Sequence, residues 1–297
     1  MDRLKAMALL VKVAETGSLT AAARALKAPL PSVSRRIGEL EAHLGARLLA
    51  RTTRRLALTE SGAAYVAASR RILEQVEQAE RAAAGEGDAP RGELVVAAPI
   101  VFGRLHMTPV IAGFLAQFPD VNVRLILSDR NANLVGDQID VALRIGALAD
   151  SALTARRVGE VRRIVCASPE YLALNGAPAT PEDLERHACI AFESLEDRAV
   201  WRFGERVAQP RVRFSVNTAE AALEAAAAGA GIARTLSYQA GGALAKGGLV
   251  RLLQAFEPAP VPVQLLFEGR GPTPSKLRAF LDFAAPRLSM RLAEAAI

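Results

Sequence analysis

Cysteine and histidine are scarce in this sequence, and their scarcity excludes several classes of protein. The 297 residues include two cysteines, Cys166 and Cys189, and three histidines, His43, His106 and His187. Two cysteines without CxxC spacing cannot form a disulfide framework and indicate idle thiols in a reducing compartment. The histidines have no accompanying GxSxG, HExxH or Walker motif, so we expect no enzyme, no metal site and no cofactor.

Long apolar segments are absent as well. No stretch of 18 residues is free of charged side chains, which argues against a membrane-spanning helix. The apolar N-terminus is interrupted by Lys12 and Glu15 and has no small-residue cleavage site, unlike a signal peptide. We therefore expect a cytoplasmic protein. The segment Gly229–Arg234 begins like a dinucleotide-binding loop but lacks the third glycine, so it predicts a helix end and a turn.

Positive charge is concentrated at the N-terminus. The formal net charge is +6, and residues 1–58 contain 11 Lys and Arg against 4 Asp and Glu, whereas the remainder contains 26 against 27. A basic head on a neutral body is typical of a nucleic-acid-binding module joined to a module with another task. The alternative is a small-molecule binding protein or enzyme whose basic head is incidental.

Hydrophobic periodicity predicts a group of short helices in the head. Apolar positions within Asp2–Glu15 predict the first helix, and Ser18 can cap a second helix that runs to Leu26. A third helix is predicted from Pro31 to about Leu44. Its buried face is predicted to carry Val33, Ile37, Leu40 and Leu44, and its other face Ser32, Arg35, Arg36 and Glu39. Two helices joined by a tight turn, the second with hydroxyls and guanidiniums near its start, fit a major groove.

Further arginines follow the third helix. Arg47, Arg51, Arg54 and Arg55 precede the alternating segment Leu56–Leu58, a pattern that predicts a basic hairpin, or wing, next to the helices. The head is therefore predicted to be a winged helix-turn-helix. For an isolated pair of arginines such as Arg35 and Arg36, a solvated helix face is the more frequent explanation.

A long helix is predicted next. Thr59 can cap it, and it reaches about Ala84. Its heptad-like apolar seam consists of Tyr65, Ala68, Ile72, Val76, Ala79 and Ala83. Periodicity alone allows two ways to cover this seam, a second subunit or the head of the same chain. The following Gly- and Pro-rich residues 85–92 predict a hinge and a domain boundary.

The remainder alternates between apolar strands and helices, which predicts an α/β domain. Strands are predicted at 94–98, 121–127 and 141–145, helices at 103–118 and 134–138, and this order favours a parallel sheet. A second, similar unit is predicted from the strand near 161–167, a strand at 190–192, a helix at 219–228 and a strand at 232–235. A strand at 265–267 and a helix at 275–288 complete the chain. Two such lobes form a cleft, and ligands of such sheets bind at the carboxyl ends of strands.

Residues 16–62, TGSLTAAARALKAPLPSVSRRIGELEAHLGARLLARTTRRLALTESG, resemble the winged helix-turn-helix of the LysR-type transcriptional regulators, with a dense match from Leu4 to Gly62. The resemblance implies that Ser34, Arg35 and Arg54 contact double-stranded DNA. The full set that we expect at the DNA is Ser18, Thr20, Leu30, Pro31, Ser32, Ser34, Arg35, Arg36, Arg51, Arg54 and Arg55. The family pattern favours pairing of the long helix with a second subunit, through Tyr65, Ala68, Ile72, Val76 and Ala79, in a homodimer or homotetramer.

One departure from the family concerns the start of the recognition helix. Members usually have Ser-Gln-Pro where this chain has Pro29-Leu30-Pro31, so a serine cap and a base-reading glutamine are both missing. Leu30 cannot make the bidentate contact to adenine that glutamine makes, although it can pack on a thymine methyl group. We expect an altered operator preference without loss of binding.

The C-terminal part resembles the effector-binding domain of the same regulators, over residues such as LSDRNANLVGDQIDVALRIG. The resemblance implies a fold of the periplasmic-binding-protein type, with a small-molecule effector between the lobes. It assigns these residues to the cleft: Pro99, Ile100, Val101, Arg144, Phe192, Asn217 and Thr218. Arg144 can pair with an acidic effector, or alternatively with Asp129 or Asp140. Ile100 and Val101 replace the usual hydroxyl side chains, which favours a less polar ligand, such as an aromatic one.

These observations define the expected architecture. The fold is α/β overall, with a winged helix-turn-helix at 1–58, a linker and dimerisation helix with its hinge at 59–91, and an effector-binding domain at 92–297. Lobe I is expected at about 92–162 and 267–297, and lobe II at about 163–266. The expected function is ligand-responsive transcription regulation. A DNA-binding repressor with a cleft that binds nothing is a further alternative.

Overall fold

The helices of the head form where periodicity predicts them. The computed structural model of the protein describes residues 2–51, 56–83, 89–129, 134, 139–147, 153–193, 200–269 and 273–294. Its first helices are α1 (Arg3–Thr16), α2 (Leu19–Ala25) and α3 (Leu30–Leu44). Asp2 caps α1 by accepting from the amide of Lys5, and Ser18 caps α2 by accepting from the amide of Ala21. These caps satisfy amides that have no partner inside the helix, which fixes both helix starts.

A hairpin and a long helix complete the N-terminal unit, which contains Met1–Ala89. The strands β1 (Leu49–Arg51) and β2 (Leu56–Leu58) are antiparallel, with Leu49 opposite Leu58. Helix α4 (Glu60–Ala83) follows, and the hydroxyl of Thr59 accepts from the amide of Gly62 at 2.9 Å. The predicted hairpin and the predicted cap are confirmed.

The core of this unit combines side chains from all of these elements. It consists of Ala6, Leu9, Leu10, Val13, Ala22, Ala23, Val33, Ile37, Leu40, Leu48, Leu49 and Val66. Burial of such aliphatic side chains contributes about 1.5–3 kcal/mol each. Leu44 is not part of the core, because 38% of it is exposed, so its predicted burial is wrong. It is the last residue of α3.

The C-terminal unit contains Pro90–Ala132 and Asp140–Ile297. Its strands are β3 (Gly92–Ala98), β4 (Val121–Leu127), β5 (Val141–Ile145), β6 (Leu153–Val161), β7 (Arg163–Ala167), β8 (Ala188–Phe192), β9 (Trp201–Phe203), β10 (Arg206–Ala208), β11 (Arg211–Val216), β12 (Ile232–Leu236), β13 (Val250–Leu252) and β14 (Val261–Glu268). Its helices are α5 (Ile100–Phe102), α6 (Thr108–Gln117), α7 (Pro169–Asn175), α8 (Ala219–Ala227), α9 (Ser237–Ala245) and α10 (Ser275–Glu294). A π-helical turn, Gly103–Met107, joins α5 to α6, and short 3-10 helices occupy Pro181–Glu185 and Gln254–Phe256.

Two sheets organise these strands into two lobes. The described strands of the first lobe have the order β4-β3-β5-β14-β6, in which β3 is parallel to both β4 and β5. The second lobe has the order β11-β8-β12-β7-β13, in which β8 is parallel to β11 and β12. The two-lobed α/β fold class is confirmed. A short antiparallel hairpin of β9 and β10 adds to the second lobe.

The lobe boundary differs from the predicted one. Strand β14 begins at Val261 and pairs with β5 and β6, so the chain returns to the first lobe before Val261 and not at about residue 267. The crossing in the other direction, between Val161 and Arg163, lies where it was predicted. The sequence does not reveal the second crossing, because the apolar pattern of a strand does not indicate which sheet the strand joins.

The helix over residues 100–117 supports the first sheet. Its composition and length would allow a membrane span, but Phe114 packs edge-on against Phe280 of α10 at 5.2 Å between ring centroids. This contact is typical of the core helix of a globular lobe. The helix begins at Ile100 and not at Gly103 as predicted. Residues 135–138 of the predicted short helix and residues 85–88 of the predicted hinge lie outside the described residues.

Candidate DNA-binding and effector-binding sites

Helix α3, the predicted recognition helix, presents a polar, basic face to solvent. Val33, Ile37 and Leu40 are buried, whereas Pro31, Arg35 and Arg36 are exposed and Ser32 and Ser34 are half-buried. The side chain of Arg35 is 73% exposed, and its Nε lies 3.8 Å from Oε1 of Glu39. An exposed pair of this kind contributes about 0.3–0.5 kcal/mol, so it does not immobilise the guanidinium. Arg35 can reorient toward a ligand at low cost.

The start of α3 shows the physical effect of the unusual Pro29-Leu30-Pro31 segment. Pro29 occupies the cap position and has no side-chain acceptor, while Pro31 lies in the first turn, where the missing amide costs little. Leu30 is 41% exposed at the first helical position. An aliphatic side chain therefore stands at the tip of the helix that is predicted to enter the groove. On α2, Thr20 is exposed and Ser18 is used as the cap.

The carboxylate of Glu41 on α3 forms hydrogen bonds with the start of the hairpin. Oε1 of Glu41 accepts from the amides of Leu48 and Leu49, at 2.8 and 3.1 Å, so the hairpin starts at a fixed position relative to α3. Arg51 ends β1. Arg54 and Arg55 lie outside the described residues, and their predicted contact with DNA remains a prediction.

The apolar seam of α4 is covered only in part by the same chain. Val66 and Ala67 are buried, and Tyr65 packs against the core of the head. Farther along α4, Ala68 and Ala79 are exposed, Ile72 is 38% exposed and Val76 is half-buried. The first turns of α4 thus pack on the head, whereas most of the seam lies open. Packing on the head therefore applies to the first turns of α4, and pairing of the open stretch with a second subunit remains a prediction.

A cavity of about 170 Å³ lies in the C-terminal unit, between residues of the two lobes. The first lobe supplies the carboxyl ends of β3, β4 and β5 and the residues that follow them, among them Pro99, Asp129 and Arg144. The second lobe supplies Phe192 at the end of β8, Leu236 at the end of β12, and Tyr238 and Gln239 of α9. Arg163 joins them because β7 is antiparallel to β12, which brings its first residue to the same edge. The cavity agrees with the predicted position at carboxyl strand ends.

Three predicted effector residues line this cavity, namely Pro99, Arg144 and Phe192. In the part of the chain that the structure describes, the cavity lining does not include the other four predicted residues, Ile100, Val101, Asn217 and Thr218. Val101 is 2% exposed and belongs to the core, and its predicted contact with an effector remains a prediction. The hydroxyl of Thr218 accepts from the amide of Ala221 and caps α8, and Asn217 before it is exposed.

Sequence reasoning missed Arg163, Tyr238 and Gln239, which line the cavity. It named Asp129 only as a possible ion-pair partner of Arg144, although Asp129 also lines the cavity. Asp129 follows the carboxyl end of β4 within two residues, a position that favours ligand contact, so this signal was available. Arg163 stands at the start of a strand, and its location depends on a strand direction that periodicity does not reveal.

Burial shifts the pKa values of ionisable side chains in this cavity. Burial raises the pKa of Asp129, although its Oδ1 accepts from the amide of Ile100 at 3.1 Å. Oδ2 of Asp129 is buried and has no hydrogen-bond partner within the described chain. Burial also lowers the pKa of Arg144 and raises that of Tyr238. The second candidate carboxylate, Asp140, accepts from the amide of Val95 at 2.7 Å.

Comparison with known proteins decides the family. Residues 4–63 match the model of the bacterial regulatory helix-turn-helix protein, lysR family, and residues 87–289 match that of the LysR substrate binding domain. The chain belongs to the LysR-type transcriptional regulators.

Relatives of this LysR-type regulator match over its whole length. An HTH-type transcriptional regulator of Xanthomonas campestris is 36% identical over 291 residues, covering 95% of this chain and 84% of the relative. The solved structure of CrgA, a LysR-type transcriptional regulator from Neisseria meningitidis, is 33% identical, with a TM-score of 0.61 and 96% and 98% of the two chains covered. Full-length LysG from Corynebacterium glutamicum with bound effector Arg shares the fold at a TM-score of 0.65 and 20% identity, covering 97% and 98%.

Membership defines the function of this LysR-type regulator. It is a DNA-binding transcriptional regulator, with a helix-turn-helix for DNA and a C-terminal domain that binds a small-molecule effector and thereby modulates its activity. The predicted family, fold and function are confirmed.

A buried histidine lies next to the cavity of this LysR-type regulator. His106, in the π-helical turn, contacts Phe102 at 4.9 Å and Tyr238 of the other lobe at 5.7 Å between ring centroids. It is 7% exposed, and neither ring nitrogen has a hydrogen-bond partner within the described chain. Burial, together with the positive charge of Arg291, lowers the pKa of His106 to about 4.

The lowered pKa means that the unfolded chain binds a proton more readily than the folded chain between pH 6.5 and about 4. We expect His106 to stabilise the fold fully above pH 6.5, and this contribution to fall by up to about 1.4 kcal/mol per pH unit as the pH decreases toward 4. Urea unfolding of H106F at several pH values should show a reduced dependence. The exposed His43 offers a control, H43Q, which should keep the wild-type dependence; equal pH profiles of H106F and wild type would contradict this account.

Proposed function

We propose that the regulator recognises its operator with the exposed face of α3 and the adjacent hairpin. The DNA-contacting residues of this proposal are those predicted from the sequence, with Arg35 and Arg36 contributing most. Arginine can donate two hydrogen bonds to guanine or to a phosphate group. The observation that carries the proposal is the exposure of both guanidiniums on a helix whose opposite face is fixed in the core.

The regulator binds DNA as a homodimer, or as a homotetramer built from such dimers. Support comes from the exposed part of the α4 seam, Ala68, Ile72 and Ala79. A helix of 24 residues is about 36 Å long, enough for a coiled-coil contact between two copies. Two recognition helices held about one turn of DNA apart then recognise a palindromic site.

We assign residues 1–58 to DNA binding, 59–91 to the linker and 92–297 to effector binding, with the return to the first lobe moved to the residues before Val261.

We also propose that the protein performs no catalysis and works in the cytoplasm, where its operator lies. The relatives named above are transcriptional regulators, which supports this proposal.

The salt dependence of DNA binding tests this proposal. Genomic fragments bound by the purified protein are selected, and the affinity for one fragment is measured over a range of salt concentrations. Each phosphate contact releases counterions, so the logarithm of the affinity should fall steeply and linearly with the logarithm of the salt concentration. If no genomic duplex is bound at low ionic strength, the proposal is wrong, and a small-molecule binding protein with an incidental basic head becomes the better explanation.

A further inference from the structure

The N-terminal unit contains a groove that is lined mainly by apolar side chains. It has a volume of about 250 Å³ and lies between α1, the end of α2 and the first turns of α3. Its lining residues are Lys5, Ala8, Leu9, Leu26, Ala28, Ser32, Val33 and Arg36. Three of them, Ala8, Ala28 and Ser32, have small side chains, and these leave a recess where the helices meet.

The interior of this groove is aliphatic. Leu9 and Val33, which are 5% and 1% exposed, form its floor, and Leu26, which is 43% exposed, contributes to its wall. Leu4 and Leu30 are each 41% exposed. They stand one helical turn before groove residues of α1 and α3, on the same faces of these helices. Exposed apolar side chains that surround a recess are typical of a binding site.

Both ionisable side chains that line the groove are cationic. The side chain of Lys5 is 74% exposed, and its Nζ lies 3.2 Å from Oδ2 of Asp2. Such an exposed ion pair is weak, so Lys5 can turn toward another anion at low cost. Arg36 is exposed and forms no ion pair with any residue that the structure describes. The groove therefore suits a ligand with an apolar body and an anionic group at the rim.

The size and charge of the groove restrict its occupant. Its volume exceeds the ~150 Å³ that holds one benzene molecule and leaves room for about two fused rings. A helical segment of another protein binds through several anchors along a longer groove. A second head would bring its own excess of positive charge, since residues 1–58 contain 11 Lys and Arg against 4 Asp and Glu. A small organic anion meets neither obstacle.

We propose that this groove binds an amphipathic monocarboxylic acid with a body of about two fused rings, and that the bound acid prevents operator binding. The rings lie on Leu9 and Val33, and the carboxylate lies between Lys5 and Arg36. Ser32 and Arg36 belong both to the groove and to the predicted DNA-contacting set, so the acid and the operator compete for them. This competition rests on the proposed DNA-binding role of α3, whereas binding of the acid does not.

Direct binding is tested without DNA, with 2-naphthoate as the probe and 2-naphthamide as a neutral ligand of similar shape. Calorimetric titration of the full-length protein should detect 2-naphthoate binding at about millimolar concentration and weaker binding of 2-naphthamide. In A8L the larger side chain fills the groove, and binding should weaken by about tenfold or more. K5Q should weaken it by about two- to fivefold. The control is A42L, at an exposed alanine in the last turn of α3, which should bind like the wild type.

The cavity of the C-terminal unit is present in every variant, so only the binding that A8L removes is assigned to the groove. Several outcomes would overturn the proposal: no 2-naphthoate binding, equal binding of 2-naphthamide, an A8L titration equal to that of the wild type, or a loss in A42L as large as in A8L. Circular dichroism shows whether each variant is folded, and leucine at an exposed helical position should change the helix content little.

Competition is measured by fluorescence anisotropy with a labelled operator fragment. At about ten times its dissociation constant, 2-naphthoate should weaken operator binding of the wild type and of A42L by about tenfold or more, and that of A8L much less. Equal inhibition of A8L and the wild type would assign the effect to another site and overturn the proposed competition. If no genomic duplex is bound at all, the proposed DNA-binding role fails, while the titration without DNA still decides whether the groove binds the acid.

Discussion

Replacing both Arg35 and Arg36 by glutamine is expected to weaken binding of the regulator to its operator by about two orders of magnitude or more. A bidentate arginine contact to a base contributes about 1–3 kcal/mol, and about 1.4 kcal/mol corresponds to a tenfold change in affinity. Both side chains are exposed, so the free energy of unfolding should change by less than about 0.5 kcal/mol. Fluorescence anisotropy with a labelled operator fragment measures the effect.

The single variants separate two kinds of contact. If Arg35 contacts a base, R35Q should reduce the preference for the operator over random DNA. If Arg36 contacts phosphate, R36Q should weaken binding to all sequences alike and reduce the salt slope by about one. R213Q removes one charge from an exposed position on β11 of the C-terminal unit and serves as the control. Equal effects of R213Q and R35Q would show that net charge alone, and not the face of α3, governs binding.

Much of the fold could be predicted because local signals determine it. The starts of α1, α2 and α4 follow from side chains that accept from free amides, at Asp2, Ser18 and Thr59. Strands β3, β4, β5, β7, β8 and β12 of the C-terminal unit follow from apolar runs, whereas no apolar run predicts β6, β9, β10, β11 or β13. Long-range strand pairing cannot be predicted in this way, because an apolar run does not indicate which sheet it joins. The predicted lobe boundary at about residue 267 therefore falls inside β14.

Only part of the candidate effector site could be predicted, because some of its residues follow a local rule and others depend on long-range strand pairing. Pro99, Arg144 and Phe192 lie after or at the end of strands, where ligands bind by a general rule. Ile100 and Val101 precede the predicted helix at 103–118, but the helix begins at Ile100, whose amide donates to Asp129, and Val101 is buried in the core. Arg163 and Tyr238 reach the cavity only through the antiparallel pairing of β7 with β12 and the helix that follows, which no local pattern predicts.

The junction between the hairpin and α4 is expected to be the least tolerant position of the head. The carbonyl of Leu48 accepts from the amide of Thr59 at 3.0 Å, and the hydroxyl of Thr59 donates to the carbonyl of Arg47 at 2.6 Å. These bonds bring the first turn of α4 directly against the start of β1. A Cβ atom on Gly62 would overlap the carbonyl oxygen of Leu48 and lie 2.8 Å from its carbonyl carbon. Since backbone atoms on both sides are fixed, only a shift of α4 can relieve the overlap.

We therefore expect G62A to destabilise the N-terminal unit by about 3 kcal/mol or more and to abolish operator binding. The matched control is G38A in the interior of α3, where a Cβ atom meets nothing within 4 Å and alanine should stabilise the helix by about 0.5–1 kcal/mol. Urea unfolding followed by circular dichroism measures both variants. The single tryptophan, Trp201, lies in the C-terminal unit, so its fluorescence transition should stay at the wild-type position. If G62A unfolds at the same urea concentration as the wild type, α4 does not pack on Leu48, and the rigid attachment of the linker helix to the head is wrong.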